Sequence, residues 1–329
     1  MVNIVIFLRI VFWNMNSASK ILVVCHDAGG AEIVSCFVAA QIDPDNFICL
    51  IAGPAIPIFK HHGVKVIPIQ ENQSGEHILD AYPNVKYVLT GSSWSTALEL
   101  GVISAAKKRN IPTSLFLDHW VNYRERFGFP KPGWEAHLPD ELIMGDSYAF
   151  EIAKNFFPDK NIRLEPNHYF DYIKERAKVM QDFYSEEAGT ILWISEPFSQ
   201  PINVFGDKAE NSVTEYDILS GLLEIINKDN RFLKFKIRLH PSESGEKYRK
   251  LMKQKASGLS CTLSTETELL VDIFEANYII GIESMALVVA MLAGKPVASF
   301  VPDVEYICPL PFSGIKKINS EHDLSLFLA

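Results

Sequence analysis

The chain has 329 residues, 48% of them hydrophobic and 11% aromatic, enough for two cores of ordinary domain size and unlike a disordered polymer. A formal net charge of -9 without any dense Lys/Arg block excludes nucleic-acid binding through a broad basic surface. The cysteines, Cys25, Cys36, Cys49, Cys261 and Cys308, form no CxxC pair, which points to reduced, buried thiols in a cytosolic protein and away from a structural zinc site.

The opening stretch, MVNIVIFLRIVFWN, is apolar but interrupted by Arg9, and it is too short for a membrane-spanning helix. Two readings stand for residues 1–19. They are an upstream extension ahead of a true start at Met15, or an extra strand or membrane-surface anchor. No other segment reads as transmembrane. The expected location is the cytoplasm, with peripheral contact at the inner membrane face as the alternative.

From Lys20 onward strand, turn and helix alternate. Ile21 to Cys25 is a near-continuous apolar run, as in a parallel strand covered on both faces. His26-Asp27-Ala28-Gly29-Gly30 follows, and Ala31 to Ala40 reads as a helix. The glycines either bring backbone N–H groups close to an oxygen-rich ligand or acceptor, or make a plain tight turn. Strands at Phe47 to Ala52, Lys65 to Ile69, Tyr87 to Gly91 and Thr113 to Asp118, with helices between them such as Ser95 to Lys108, predict a doubly wound parallel sheet. Gly91-Ser92-Ser93-Trp94 adds a polar turn. Strands at Glu141 to Gly145 and Ile162 to Glu165 flank a helix at Ser147 to Asn155. The polar helix from Asn167 to about Tyr184 reads as the connector between domains.

A second alternation starts at Thr190. A strand at Ile191 to Ser195 ends in Glu196-Pro197, and Thr214 to Lys228 supplies a helix. KFKIRLHPSES then places Phe235, Ile237 and Leu239 at period two, so Lys236, Arg238 and His240 fall on the opposite face. Pro241 ends the strand, which sets His240 at its C-terminal end with Pro241-Ser242 opening the turn. A helix at Lys247 to Lys255, a strand at Ser260 to Leu263 and a helix at Glu266 to Glu275 follow. An apolar strand from Tyr278 to Ile282 ends in Glu283-Ser284, a helix begins there, and the Val297 strand completes the set. The expected fold is α/β, with two Rossmann-like domains of parallel sheet, residues 20–185 and 186–329.

In such sheets ligands bind beyond the C-terminal strand ends. Ser195, Glu196, His240, Glu283 and Ser284 all fall there in the second half. A histidine, a serine hydroxyl and helix-start N–H groups suit a nucleotide phosphate, whereas Glu283 suits a sugar or ribose hydroxyl. Arg238 either joins them or pairs with an acidic neighbour, and Ser284 also fits an ordinary helix N-cap. In the first half Asp118-His119 ends an apolar strand ahead of Trp120, Tyr123, Arg124 and Arg126. Either Asp118 or His119 can take the proton of an acceptor hydroxyl, with His26-Asp27 as a rival; the plainer alternative is an Asp118–Arg124 ion pair. HExxH, P-loop, GxSxG and kinase motifs are absent, so neither metal nor cofactor is expected.

IRLHPSE followed by ANYIIGIESMALVVAMLAGKPV resembles the His-Pro and Ser motifs of GT-B glycosyltransferases: bacterial sialyltransferases, capsule Kdo transferases and CDP-glycerol glycerophosphotransferases. The resemblance covers roughly the C-terminal half and is architectural over the first half; it implies two domains facing across a central cleft, residues 20–185 for the acceptor and 186–329 for the nucleotide-sugar donor. It implies His240 and Ser284 at the phosphate of a cytidine nucleotide, and Asp118 or His119 of LFLDHW as the acceptor-activating base. Glu283-Ser284 stands where those families carry paired serines, and it is similar to UDP-sugar transferases and UDP-N-acetylglucosamine 2-epimerases. The implied activity is a metal-independent, inverting glycosyltransferase of bacterial surface-polysaccharide assembly, with a CMP-linked nonulosonate as one candidate donor and a saccharide or lipid-linked saccharide as acceptor. A UDP-sugar 2-epimerase or hydrolase, or a non-catalytic nucleotide-sugar-binding protein, are the alternatives.

Overall fold

The structure is a computed structural model that describes residues 20–198, 213–228, 231–232, 234–240, 243–255, 258–266 and 268–329. The apolar opening stretch and the Pro241-Ser242 turn lie outside the described residues. The described residues divide into two compact units, the first ending at Tyr169 and the second beginning at Phe170.

The first unit contains β1 (Lys20–Cys25), α1 (Ala28–Ala39), β2 (Phe47–Ile51), α2 (Ala55–His61), β3 (Val66–Pro68), α3 (Gly75–Ala81), β4 (Val85–Thr90), α4 (Leu98–Lys108), β5 (Thr113–Leu117), β6 (Glu141–Met144), α5 (Ser147–Phe156) and β7 (Asn161–Leu164). Its seven strands run in the order β3-β2-β1-β4-β5-β6-β7, every pair parallel. The chain moves outward from β1 to β3, then returns to lay β4 against β1 and proceeds the other way. β1 and β4 therefore flank the switch point, where the connections leave a crevice at the C-terminal strand ends. Burial of Ile21 to Cys25 explains the continuous apolar run, since helices cover both faces of a parallel sheet. Leu22, Val24, Leu50, Val88 and Val102 pack one such face against α3 and α4.

The second unit opens with α6 (His168–Met180) and continues with β8 (Thr190–Ile194), α7 (Glu215–Ile226), β9 (Lys234–Arg238), α8 (Glu246–Lys255), β10 (Ser260–Leu263), α9 (Leu269–Glu275), β11 (Tyr278–Gly281), α10 (Met285–Leu292), β12 (Val297–Phe300), β13 (Ile315–Ile318) and α11 (Glu321–Phe327). The strand order is β10-β9-β8-β11-β12-β13, again all parallel. Here the switch point falls between β8 and β11. Trp193, Leu219, Leu222, Phe235, Ile237, Tyr248 and Phe300 form the core.

Three features differ from the sequence expectation. Helix α6, read as a connector, belongs almost wholly to the second unit, to which Arg176 Nε fastens it through Glu268 Oε1 at 3.1 Å. β13 extends the sheet beyond the Val297 strand, and helix α11 follows it. The polar face of β9 is also covered rather than open. Asp272 on α9, with no exposed surface, accepts from Arg238 Nη1 at 2.6 Å and from Ser264 Oγ at 2.6 Å, and lies 3.3 Å from Lys236 Nζ. Arg238 thus takes the acidic-neighbour alternative and locks α9 to the sheet.

Removal of one member of a buried ion pair leaves the other charge uncompensated. Asp272→Ala is expected to lower the unfolding free energy by about 2–4 kcal/mol in urea titration. An unchanged midpoint would show that Arg238 and Lys236 reach water without it.

Candidate functional site

In the second unit the chain ties the ends of β9, β8 and β11 into one continuous edge. Ser195, just past β8, is buried at 2% exposure. Its N–H donates to the Arg238 carbonyl at 2.9 Å and its hydroxyl donates to Glu243 Oε2 at 2.6 Å. The same hydroxyl meets Tyr248 Oη. Ser195 is therefore spent inside the protein rather than presented to a ligand. His240 is exposed at the end of β9, and its N–H donates to Glu243 Oε2 at 3.3 Å. The sequence singles out neither Glu243 nor Tyr248: Glu243 closes the IRLHPSE stretch, where nothing shows that Ser195 reaches it, and Tyr248 lies in a polar helical stretch without motif.

Across the switch point, Glu196 reaches from the end of β8 to the start of α10, where its Oε1 accepts from Glu283 N–H at 2.6 Å. Burial, reinforced by the nearby Glu283 carboxylate, pushes the Glu196 carboxyl up to about 8. Burial also raises Glu283, whose Oε2 accepts from Tyr306 Oη at 2.5 Å. Both groups are thereby held toward their neutral forms, which reduces repulsion of an anion placed beside them. Ser284 is the N-cap of α10, its Oγ accepting from Ala286 N–H at 3.2 Å. The β11 strand thus delivers a serine hydroxyl and a helix N-terminus to the same edge as His240.

The first unit joins its own predicted residues. Asp118, at the end of β5, has Oδ1 bonded to Ser92 Oγ and 3.4 Å from Arg126 Nη1. Arg126 Nη1 also donates to Ser92 Oγ at 3.2 Å, and its guanidinium stacks 5.7 Å from the centre of the Trp94 ring. Asp118 takes Arg126 as its ion-pair partner where the sequence suggested Arg124, which instead donates to the Phe156 carbonyl at 2.8 Å. A methyl group added at Gly29 would lie 1.9 Å from Asp118 Oδ2, and one at Gly30 would lie 2.9 Å from the Ser92 carbonyl oxygen. These glycines let the start of α1 pass under Asp118 and against the β4 turn. His119 follows with its ring 5.6 Å from that of Trp120.

Beside this group, at the β1–β4 switch point, Asp27 does not cap its own helix. Its Oδ2 accepts from Trp94 N–H at 2.7 Å and Ser95 N–H at 3.1 Å, and its Oδ1 meets His26 Nδ1 at 2.7 Å. His26 Nε2 lies 3.0 Å from Glu71 Oε2. Burial alone would depress the His26 imidazole, but the Asp27 and Glu71 carboxylates prevail and raise it. Beneath them Glu99 is 1% exposed. Its Oε1 accepts from His26 N–H at 2.7 Å and Ser93 Oγ at 2.6 Å, and burial pushes its carboxyl up to about 7. Glu99 sits at a helical position with nothing in the sequence to mark it.

Among the described residues no three His, Cys, Asp or Glu side chains are grouped as metal ligands, and no helix is long and apolar enough to cross a membrane. All five cysteines are free.

No protein-family model matches the chain, and no curated protein does either. Solved structures do. The UDP-GlcNAc 2-epimerase from Neisseria meningitidis bound to UDP-GlcNAc is 14% identical, with 93% of this chain and 89% of that chain covered at a TM-score of 0.59. HepE from Anabaena, in complex with UDP and glucose, is 9% identical over 94% and 89% of the two chains, TM-score 0.60. The wall teichoic acid polymerase TagF, a variant structure with CDPG, is 11% identical over 94% and 78%, TM-score 0.55. At such identities the likeness establishes architecture: the chain has the GT-B fold, two Rossmann-like α/β domains, a fold shared by glycosyltransferases and sugar-nucleotide epimerases.

Glu99 gives this edge a pH dependence of definite sign. Its folded-state value of about 7 stands above the ordinary 4.5, so the folded chain holds the proton more tightly, and stability contributed below pH 4.5 is lost as pH rises toward 7. Glu99→Gln keeps an accepting oxygen without that titration. Between pH 5 and pH 8 the variant should gain on the parent by about 2 kcal/mol in urea unfolding. A difference that stays constant with pH would contradict the raised value.

Proposed function

We propose that the protein is a glycosyltransferase that uses a nucleotide-activated sugar, with the second unit holding the donor. One observation carries the reading: His240 and the Ser284-capped start of α10 lie on one hydrogen-bonded strand-end edge, joined through Ser195, Glu243, Glu196 and Glu283. A helix N-terminus and an imidazole are complementary to a phosphate whose negative charge grows as the sugar departs. Glu196 and Glu283, both held toward neutrality by burial, tolerate that phosphate and offer hydrogen bonds to ribose or sugar hydroxyls. The similar structures with UDP-GlcNAc, with UDP and glucose, and with CDPG support a nucleotide-sugar as ligand.

In this reading the first unit supplies the group that takes the acceptor's proton. Asp118 is the better candidate than His119, because it is the one bonded to Ser92 and paired with Arg126 at the strand ends, beside the close turn at Gly29. Inverting transfer then needs only a carboxylate base and a stabilised leaving phosphate, and no metal ion or cofactor enters the scheme. The donor sugar, with a CMP-linked nonulosonate among the candidates, and a surface-polysaccharide acceptor follow from the motif resemblance.

A second reading, a UDP-sugar 2-epimerase or hydrolase, is favoured by the several 2-epimerases among the similar structures and by the lone Glu283 ahead of Ser284. Incubation of CMP-linked nonulosonates and UDP-N-acetylhexosamines with and without saccharide acceptors separates the two. Transfer expects sugar loss that depends on acceptor and falls at least tenfold in His240→Ala and Asp118→Asn. Conversion of a UDP-sugar without any acceptor would establish the second reading, and full turnover by His240→Ala would remove the phosphate role.

A further inference from the structure

His240 is backed by the carboxylate that closes the IRLHPSE stretch, Glu243, three residues further on. The Glu243 side chain is 4% exposed. Its Oε2 accepts from Ser195 Oγ at 2.6 Å and from the His240 N–H at 3.3 Å. Its Oε1 accepts from Tyr248 Oη at 2.8 Å and from Lys247 Nζ. The Glu243 N–H in turn donates to the His240 carbonyl at 2.9 Å, so Glu243 grips both backbone groups of the histidine. A buried carboxylate needs such a set of donors to offset its lost hydration. Here the donors come from three places: the end of β8, the end of β9 and the first turns of α8. Lys247 extends the set to α7 by donating to Glu215 Oε1 at 2.7 Å.

We propose that Glu243 is the positioning residue for His240, with Ser195 and Tyr248 as its supports. The inference rests on the reading that His240 meets the donor phosphate. Backbone groups pinned from both sides fix where the ring leaves the strand, and a ring preset in one orientation loses little freedom when a phosphate arrives. Ser195 thereby acts through Glu243 rather than by touching the donor. Tyr248, fully buried in the core, transmits the rigidity of α8 to the same carboxylate.

The test is a double-mutant cycle on the full chain, with CMP, CDP and UDP as probes in calorimetric titration. Whichever nucleotide binds the parent should bind Glu243→Gln about tenfold more weakly. The same change made in a His240→Ala background should add little, because the residue it serves has gone. Tyr248→Phe, which keeps the ring in the core and removes one donor, should weaken binding in the same direction by less, and it carries the test if Glu243→Gln fails to fold. A second, ligand-free signature accompanies this: the His240 ring resonances, single in the parent, should broaden or multiply in Glu243→Gln. Weakening in His240→Ala without any in Glu243→Gln and Tyr248→Phe would overturn the inference, as would an equal loss from Glu243→Gln with or without His240. Parent-like binding by His240→Ala, or no binding of any of the three nucleotides to the parent, would instead overturn the donor-phosphate reading on which it stands.

Discussion

Each doubly wound sheet has one place where neighbouring connections run apart and backbone N–H groups at the strand ends need an acceptor. In both units that acceptor is a carboxylate from the strand on the near side of the switch. Asp27, after β1, takes the N–H groups of Trp94 and Ser95 after β4; Glu196, after β8, takes that of Glu283 after β11. The rest of the candidate site depends on these three bonds to two carboxyl groups. They set the position of the turn holding Ser92 and Ser93 in the first unit, and of the Ser284 helix start in the second. The two carboxylates differ in their own balance. Asp27 is pushed up by burial, yet the Ser95 and His26 hydrogen bonds prevail and lower it, whereas burial keeps Glu196 raised. A fixed anion organises one edge, and a group held near neutrality organises the edge assigned to an anionic ligand.

Much of the architecture was legible because its cause is local. Apolar runs such as Ile21 to Cys25 are what a strand covered on both faces requires, and Gly29-Gly30 marked a close approach that the structure shows against Asp118 and Ser92. Glu283, Ser284 and Asp118 could be picked out because a polar residue there ends an apolar run, and His240 because Pro241 ends an alternating strand. What escaped is long-range. Nothing in the sequence couples Arg238 to Asp272, 34 positions away, or brings Ser195 onto Glu243, 48 positions away. β13 escaped for a different reason. Its Ile-Lys-Lys-Ile sequence buries only the outer pair, so it lacks both the alternation of a half-buried strand and the continuous run of a central one.

These hidden couplings alter the functional assignments without altering their logic. Ser195 and Arg238 were grouped with the ligand-facing residues by position alone. Their partners show that one is held by Glu243 and Tyr248 and the other fastens a helix. Position at a strand end selects candidates; the hydrogen-bond inventory decides which of them still face outward. By the same inventory the first unit separates two clusters, an Asp118–Ser92–Arg126 group and a His26–Asp27–Glu99 group, that the sequence presented only as rival bases.

The most direct measurement is a crystal structure with CDP or UDP bound. The expected result is phosphate density against the Ser284 hydroxyl and the first N–H groups of α10, with the His240 imidazole within hydrogen-bond distance of a phosphate oxygen. Nucleotide bound with its phosphate away from both residues would contradict the central assignment.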